Sequence, residues 1–262
     1  MDEASILISS FNGGIAIELC IESIKKRTLY FPYKIIVLDS SPESSNNRQY
    51  LKEMATKGVI ELIEYSHQLK HGEAIYQLFG YCNSQIGILL DSDIEILRPD
   101  WIDVLVGYLK TEKDLGVGNM RLPCNFPKTK IFRCPSYHPC CFALNIDAYN
   151  EFGIRENDWK ERFVPMSEYK DKAFFDALNP NMKKVHYETG SGFTERVLFF
   201  NEKNFVVHAL PNKFIANAAQ GPAMPHYVKH YEGISALNYI YTEKMKRRRQ
   251  LIAERLRILR KE

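Results

Sequence analysis

The chain has 262 residues, of which 45% are apolar and 26% charged. That fits one globular domain, or a domain with a tail, and excludes a collagen, a mostly disordered chain and a bare coiled coil. The net charge of +3 is unevenly placed, with a basic tail on a slightly acidic body, which argues against a general nucleic-acid-binding surface.

Strand and helix signals alternate through the first hundred residues. Residues 5–9 form an apolar run that predicts a buried strand, broken by Asn12-Gly13-Gly14. Ile17, Cys20, Ile21 and Ile24 fall at helical spacing and predict a helix over 15–26. A second strand over 33–38 ends at Asp39, and the turn Ser40-Ser41-Pro42 leads to a helix over 46–56. A third strand over 59–65 is broken by Lys70-His71-Gly72 before a helix over 73–82. A fourth strand over 85–90 runs into Asp91-Ser92-Asp93. This alternation predicts an α/β fold with a mostly parallel, Rossmann-like sheet and helices on both faces. Ligands of such sheets lie beyond the carboxyl ends of the strands. Asn12, Asp39, Asp91 and Asp93 all follow strand ends.

The later signals are weaker. A helix is expected over 99–109 and a strand over 115–120. Residues 121–139 contain four prolines and read as an irregular connection. A strand over 141–146 leads into a helix ending near Phe152, followed by a short helix over 172–178 and strands over 183–187 and 205–210. From Ile234 a basic helical pattern runs to the end, with Met245, Ile252, Leu256 and Leu259 as its apolar residues. That stripe suits packing on the core or a partner. The basic face also suits peripheral contact with an anionic membrane, and a homodimer through this helix stays open. No apolar run is long enough for a helical membrane span. The opening MDEASILISSF lacks the basic start and apolar length of a secretory signal, so a cytoplasmic location is expected, with the inner face of a membrane as the peripheral alternative. The six cysteines then read as buried or partly buried thiols. The spacing C-x9-C-x3-H-x-C-C around His138 contains no C-x2-C pair and makes a poor zinc signature.

The strongest chemical signal is Asp91-Ser92-Asp93. Two aspartates at i and i+2 on extended chain point the same way and repel unless a cation bridges them. Such oxygen ligands suit Mg²⁺ or Mn²⁺, with phosphate completing the shell. The plain alternative is a pair of solvated aspartates before the next helix.

From Ser5 to Asp93 the order of motifs resembles the nucleotide-binding half of GT-A-fold glycosyltransferases, particularly the inverting enzymes of family 2. ILISSFNGG is similar to that family's first strand and loop, IIVLDSS to its strand with an acidic end, GEAIYQLFGYCN to its Gly-started helix, and GILLDSD to its DxD strand. The resemblance implies one GT-A domain, with a nucleotide-sugar half over 1–98, an acceptor half over 99–235 and a basic amphipathic helix over 236–262. It implies that Ser9, Phe11 and Asn12 line the base pocket and that Asp39 contacts uracil or ribose. Asp91 would contact ribose or a metal-bound water, and Asp93 would bind Mn²⁺ or Mg²⁺ on the diphosphate. Many relatives carry two consecutive acids where this chain has Asp39-Ser40, which leaves the base open, with a UDP-sugar as the first expectation.

His230-Tyr231-Glu232-Gly233-Ile234-Ser235 is similar to the family's H-x-x-G-x-S segment, which implies His230 as a further metal ligand; His226 is the substitute, and simple packing is the alternative. The family's catalytic base sits in a Glu-Asp pair. The nearest match puts Asp171 in the Asp position, with Lys170 in place of the Glu, and Glu168 is the next choice. Asp171 is equally suited to opening a helix. Residues 187–192, with two glycines, suggest a mobile acceptor or donor loop. The implied activity is metal-dependent transfer of a sugar from a nucleoside-diphosphate sugar to an acceptor hydroxyl, with inversion. The acceptor is unidentified: a glycan, a lipid or a small molecule. A GT-A-like nucleotidyltransferase is the nearer rival, but the chain lacks that class's Gly-rich loop with Arg and Lys after Ile8. A haloacid-dehalogenase-like phosphatase would want Thr or Val where Glu95 stands. A non-catalytic nucleotide-sugar-binding module would keep the fold without a working base.

Overall fold

Four apolar runs with little polar alternation become adjacent parallel strands, as expected of strands covered on both faces. They are β1 (Ala4–Ser10), β2 (Tyr33–Asp39), β3 (Glu61–Glu64) and β4 (Ile86–Asp91), joined through α1 (Ile15–Arg27), α2 (Asn46–Thr56) and α3 (His71–Gly80). The structure, a computed structural model, describes residues 3–169, 181–201, 203–211, 214–217, 228–230 and 243–261. After β4 come β5 (Ile94–Ile96), α4 (Trp101–Val106), β6 (Asp114–Arg121), β7 (Cys124–Phe126), β8 (Ile131–Arg133) and β9 (Ser136–Asn145). Then follow α5 (Ile146–Phe152), α6 (Glu156–Trp159), β10 (Arg162–Pro165), α7 (Met166–Tyr169), β11 (Lys184–Tyr187) and α8 (Ser191–Phe199). The last described elements are β12 (Val206–Ala209), β13 (Ile215–Asn217), β14 (Val228–His230) and α9 (Glu243–Leu259).

The main sheet has the order β12-β6-β9-β4-β1-β2-β3. It is mostly parallel, as expected, with β9 antiparallel to both β4 and β6. The two-residue period of the strands sorts the core into two faces. Ile6, Ile8, Val37, Ile88 and Leu90 pack with α1, α2 and α4. Leu7, Ile36, Leu38 and Leu89 pack with α3, α5 and α8.

Two expectations are corrected, and a third lies outside the described residues. Residues 121–139 are not irregular: they contain β7, β8 and the start of β9, within a small sheet of order β10-β11-β8-β7 and the main sheet. The prolines misled because they sit where no ladder N–H is needed. Pro123, Pro127 and Pro135 fall between strands, and Pro139 lies in the register shift where Gly118 pairs with Phe142 but Asn119 pairs with His138. The glycines over 187–192 do not make a mobile loop; they lead into α8. A Cβ on Gly190 would lie 2.6 Å from the Tyr137 carbonyl oxygen, and one on Gly192 would lie 3.0 Å from the Asp158 Cα, so both serve close approach. The helix expected over 172–178 lies outside the described residues.

The basic tail helix packs on the domain. Ile252, Leu256 and Leu259 of α9 are buried against Ala16 and Leu19 of α1, worth about 1.5–3 kcal/mol for each fully buried aliphatic side chain. Lys26 donates to the Leu259 carbonyl, and Arg260 pairs with Glu18 at 2.9 Å. The stripe that a membrane-surface helix would present is covered by α1. Cys20, Cys134, Cys140 and Cys141 are buried free thiols, and Cys82 and Cys124 are partly buried. Among the described residues no helix is long and apolar enough to cross a membrane.

Candidate active site

Strand register brings three of the expected polar positions to one edge of the main sheet. Ser9 pairs with Asp91 across β1 and β4, and Ser10 pairs with Asp39 across β1 and β2. The loop after β1 is held by polar contacts. Asn12 adopts a left-handed conformation (φ 51°), which Asn tolerates better than most residues, and its N–H donates to Ser41 Oγ at 2.8 Å. The Gly14 N–H donates to Asn47 Oδ1 at 3.1 Å. This loop and the start of α2 line a cleft of about 370 Å³, with Arg249 of α9 at its margin.

Asp39 is the hub of that arrangement. Its carboxylate is fully buried and accepts from Ser41 Oγ (2.6 Å), Asn47 Nδ2 (2.9 Å) and Arg48 Nε (3.0 Å). Arg48 also donates to the backbone carbonyls of Asp39 and Tyr65. Both carboxylate oxygens are therefore engaged by the protein, and the nucleotide contact that the resemblance implies for Asp39 would be made beside these bonds. Of the loop, Asn12, Gly13 and Gly14 line the cleft, and Phe11 beside them is partly exposed.

The Asp-Ser-Asp segment is a turn between β4 and β5 rather than extended chain: Asp91 ends β4, and Ser92 and Asp93 make the turn. Asp91 is partly open, whereas Asp93 is buried. His71 at the start of α3 places Nε2 3.4 Å from Asp91 Oδ1. Desolvation opposes a charge on this imidazole, yet the Asp91 hydrogen bond and the charges of Asp91, Asp93 and Glu161 outweigh it and raise its pKa. The thiol of Cys140 lies behind the turn. Burial first, then the charge of Asp91, pushes it well up, while Arg121 opposes. The small sheet β13-β14-β5 sets His230 opposite Ile94, next in sequence to Asp93. Glu95, fully buried two residues beyond Asp93, is met by Arg255 of α9 at 2.7 Å.

The far wall of the site comes from the end of β6 and the small sheet. Glu188 lies 3.4 Å from Arg121 and 3.6 Å from Arg133. Glu168 sits exposed on α7, which packs against β10 and β11 rather than the main sheet. Asp171 lies outside the described residues.

A family model described as glycosyl transferase family 2 matches residues 5–167, more than half of the chain. The chain belongs to glycosyl transferase family 2. No curated protein matches it in sequence. Among solved structures it is similar to the galactosyltransferase LgtC, solved with donor and acceptor sugar analogues, with 13% identity, a TM-score of 0.53 and 95% of each chain covered. It is also similar to the mannosyltransferase PcManGT from Pyrobaculum calidifontis, in complex with GDP-Man and Mn²⁺, with 11% identity and a TM-score of 0.52. That likeness covers 80% of this chain and 55% of the mannosyltransferase, so the chain spans little more than half its length. At these identities both likenesses speak for the GT-A fold.

Reading the sequence alone missed His71, Arg48, Arg121, Arg133 and Glu188. His71 had a usable signal, since helix starts and strand ends share one edge in a parallel sheet. Its neighbour Gly72 carries a first prediction. A Cβ there would lie 2.0 Å from the Trp159 carbonyl oxygen, a backbone atom that cannot swing away. Gly72→Ala is expected to cost about 1–3 kcal/mol, read in thermal unfolding at roughly 2–4 °C per kcal/mol. An unchanged Tm would show that α3 and α6 are less tightly apposed than this.

Proposed function

We propose that this glycosyltransferase moves a sugar from a nucleoside-diphosphate sugar, in the first instance a UDP-sugar, to an acceptor hydroxyl with inversion. The observation that carries the reading is the Asp91-Ser92-Asp93 turn beside the ends of β1 and β2. Ser9, Phe11 and Asn12 line the base side, and residues 1–98 form the donor half. Asp39 holds that wall through Ser41, Asn47 and Arg48. His71 orients Asp91.

Two carboxylates in one short turn are hard oxygen ligands suited to Mn²⁺ or Mg²⁺, and the strand of His230 lies in register beside Ile94. Asp93 and His230 would hold the ion, with Asp91 on a coordinated water or the ribose. When bound, the ion offsets the charge gathering on the departing diphosphate. The acceptor half, residues 99–235, supplies the base. Asp171, or Glu168 in its place, takes the proton of the acceptor hydroxyl as it attacks.

Calorimetry with UDP, GDP and dTDP, with and without Mn²⁺, tests this. One nucleotide, expected to be UDP, should bind at least tenfold more tightly with the metal. Binding of none, or binding indifferent to Mn²⁺, would sink the donor site.

A further inference from the structure

Across from the Asp91–Asp93 turn, Arg133 Nε, Ser136 Oγ and Ser191 Oγ are buried and meet no hydrogen-bond partner among the described residues. Native proteins rarely leave buried donors unmet, so three together mark a place where an acceptor atom is wanted. They come from three elements that meet. Arg133 ends β8, Ser136 opens β9 opposite Arg121 at the end of β6, and Ser191 opens α8. Glu188 ties them together: its side chain lies 3.4 and 3.6 Å from the two guanidinium groups, and its carbonyl accepts from the Ser191 N–H at 2.9 Å.

Two guanidinium groups face one carboxylate here. The nine-residue α8 adds the positive end of its dipole. Arg121 and Arg133 are 28% and 25% exposed, so an anion approaching from solvent can reach them. Planar guanidinium forks match the oxygens of carboxylate and phosphate.

From this we propose that Arg121, Arg133, Ser136 and the first turn of α8 form a subsite for an anionic group, phosphate or carboxylate, carried by the sugar acceptor. The assignment to the acceptor rests on the reading that the Asp91–Asp93 turn serves the donor. β6 and β4 run parallel with β9 between them, so the end of β6 lies about two strand spacings, about 10 Å, from the strand of Asp91. The Cys140 thiol, between them, feels Asp91, Asp93 and Arg121 together. That separation suits the far side of an acceptor whose hydroxyl meets the donor sugar, rather than the diphosphate itself.

The probes are inorganic phosphate and acetate, titrated calorimetrically into the full chain, first alone and then with UDP and Mg²⁺ present. Phosphate should bind the wild type in both states. Arg133→Met should weaken it at least tenfold, and Glu188→Gln, which removes the opposing charge, should tighten it severalfold. Misfolding cannot produce that tightening. Acetate should follow the same order, more weakly if phosphate is the natural group and more strongly if carboxylate is. Equal phosphate affinity in all three proteins, or no binding to the wild type, would overturn the subsite. Displacement of phosphate by UDP, or an equal loss of UDP affinity in Arg133→Met, would hand these residues to the donor and overturn it too. Failure of UDP to bind the wild type at all would count against the donor reading and leave the phosphate result to judge the subsite itself.

Discussion

Asp93→Asn is expected to lower kcat/KM by about 10²–10³-fold, the scale of losing one charge-stabilising group at a reacting centre. The substitution keeps the size and planarity of the side chain and removes only the charge. Asp93 is buried, and its charge already acts on the Cys20 thiol, which burial first and then Asp93 pushes up. Because the replacement fills the same space, the metal-free Tm should fall far less than the activity does. The expected signature is a split: turnover and Mn²⁺-dependent nucleotide binding collapse while thermal unfolding barely moves. Full activity in Asp93→Asn would remove this residue from the metal site. A large fall in Tm together with the activity would mean that Asp93 is there to hold the turn.

The first hundred residues are legible in the sequence because their signals are local. The helix over 46–56 is recovered at the same bounds, and Ser45 caps it by accepting from the Arg48 N–H at 3.2 Å. The strand ends at Asp39 and Asp91 follow from apolar runs that stop at a charge. The chain after β5 is set by contacts distant in sequence. β9 pairs with both β4 and β6, and β8 pairs with β11 more than fifty residues later, so 121–139 shows no period of its own. Asp39 shows a second limit. Its place at a strand end is readable, but its burial depends on Asn47 and Arg48, which look like ordinary helix-surface residues until α2 is laid against β2. Arg121, Arg133 and Glu188 meet only once the two sheets are assembled, and no spacing within the chain announces them.

Arg255→Met should lower stability by about 3 kcal/mol, the low end of the range for removing one partner of a buried ion pair. Glu95 is 1% exposed and Arg255 31%, with Nε at 2.8 Å and Nη2 at 2.7 Å from the same carboxylate oxygen. The partial exposure of Arg255 lets water offset some of the loss, which is why the low end applies. At roughly 2–4 °C per kcal/mol, Tm should fall by about 6–12 °C. The double variant Glu95→Met with Arg255→Met should recover much of that, because two apolar groups in a buried site cost less than a buried carboxylate that has lost its Arg255 bonds. A single variant within about 1 kcal/mol of wild type, or a double variant no better than the single, would show that the pair is incidental. The pair also gives the basic tail a physical role. Ile252, Leu256 and Leu259 seat α9 on α1, and Arg255 reaches from that seat to a carboxylate two residues from Asp93. β5 carries Glu95 and holds β14 with His230 opposite Ile94. Loosening α9 should therefore disturb the Asp93 turn from behind, and Arg255→Met should also weaken Mn²⁺-dependent nucleotide binding at temperatures where the protein is still folded. A variant that loses stability but binds the nucleotide as wild type does would confine α9 to bracing the fold.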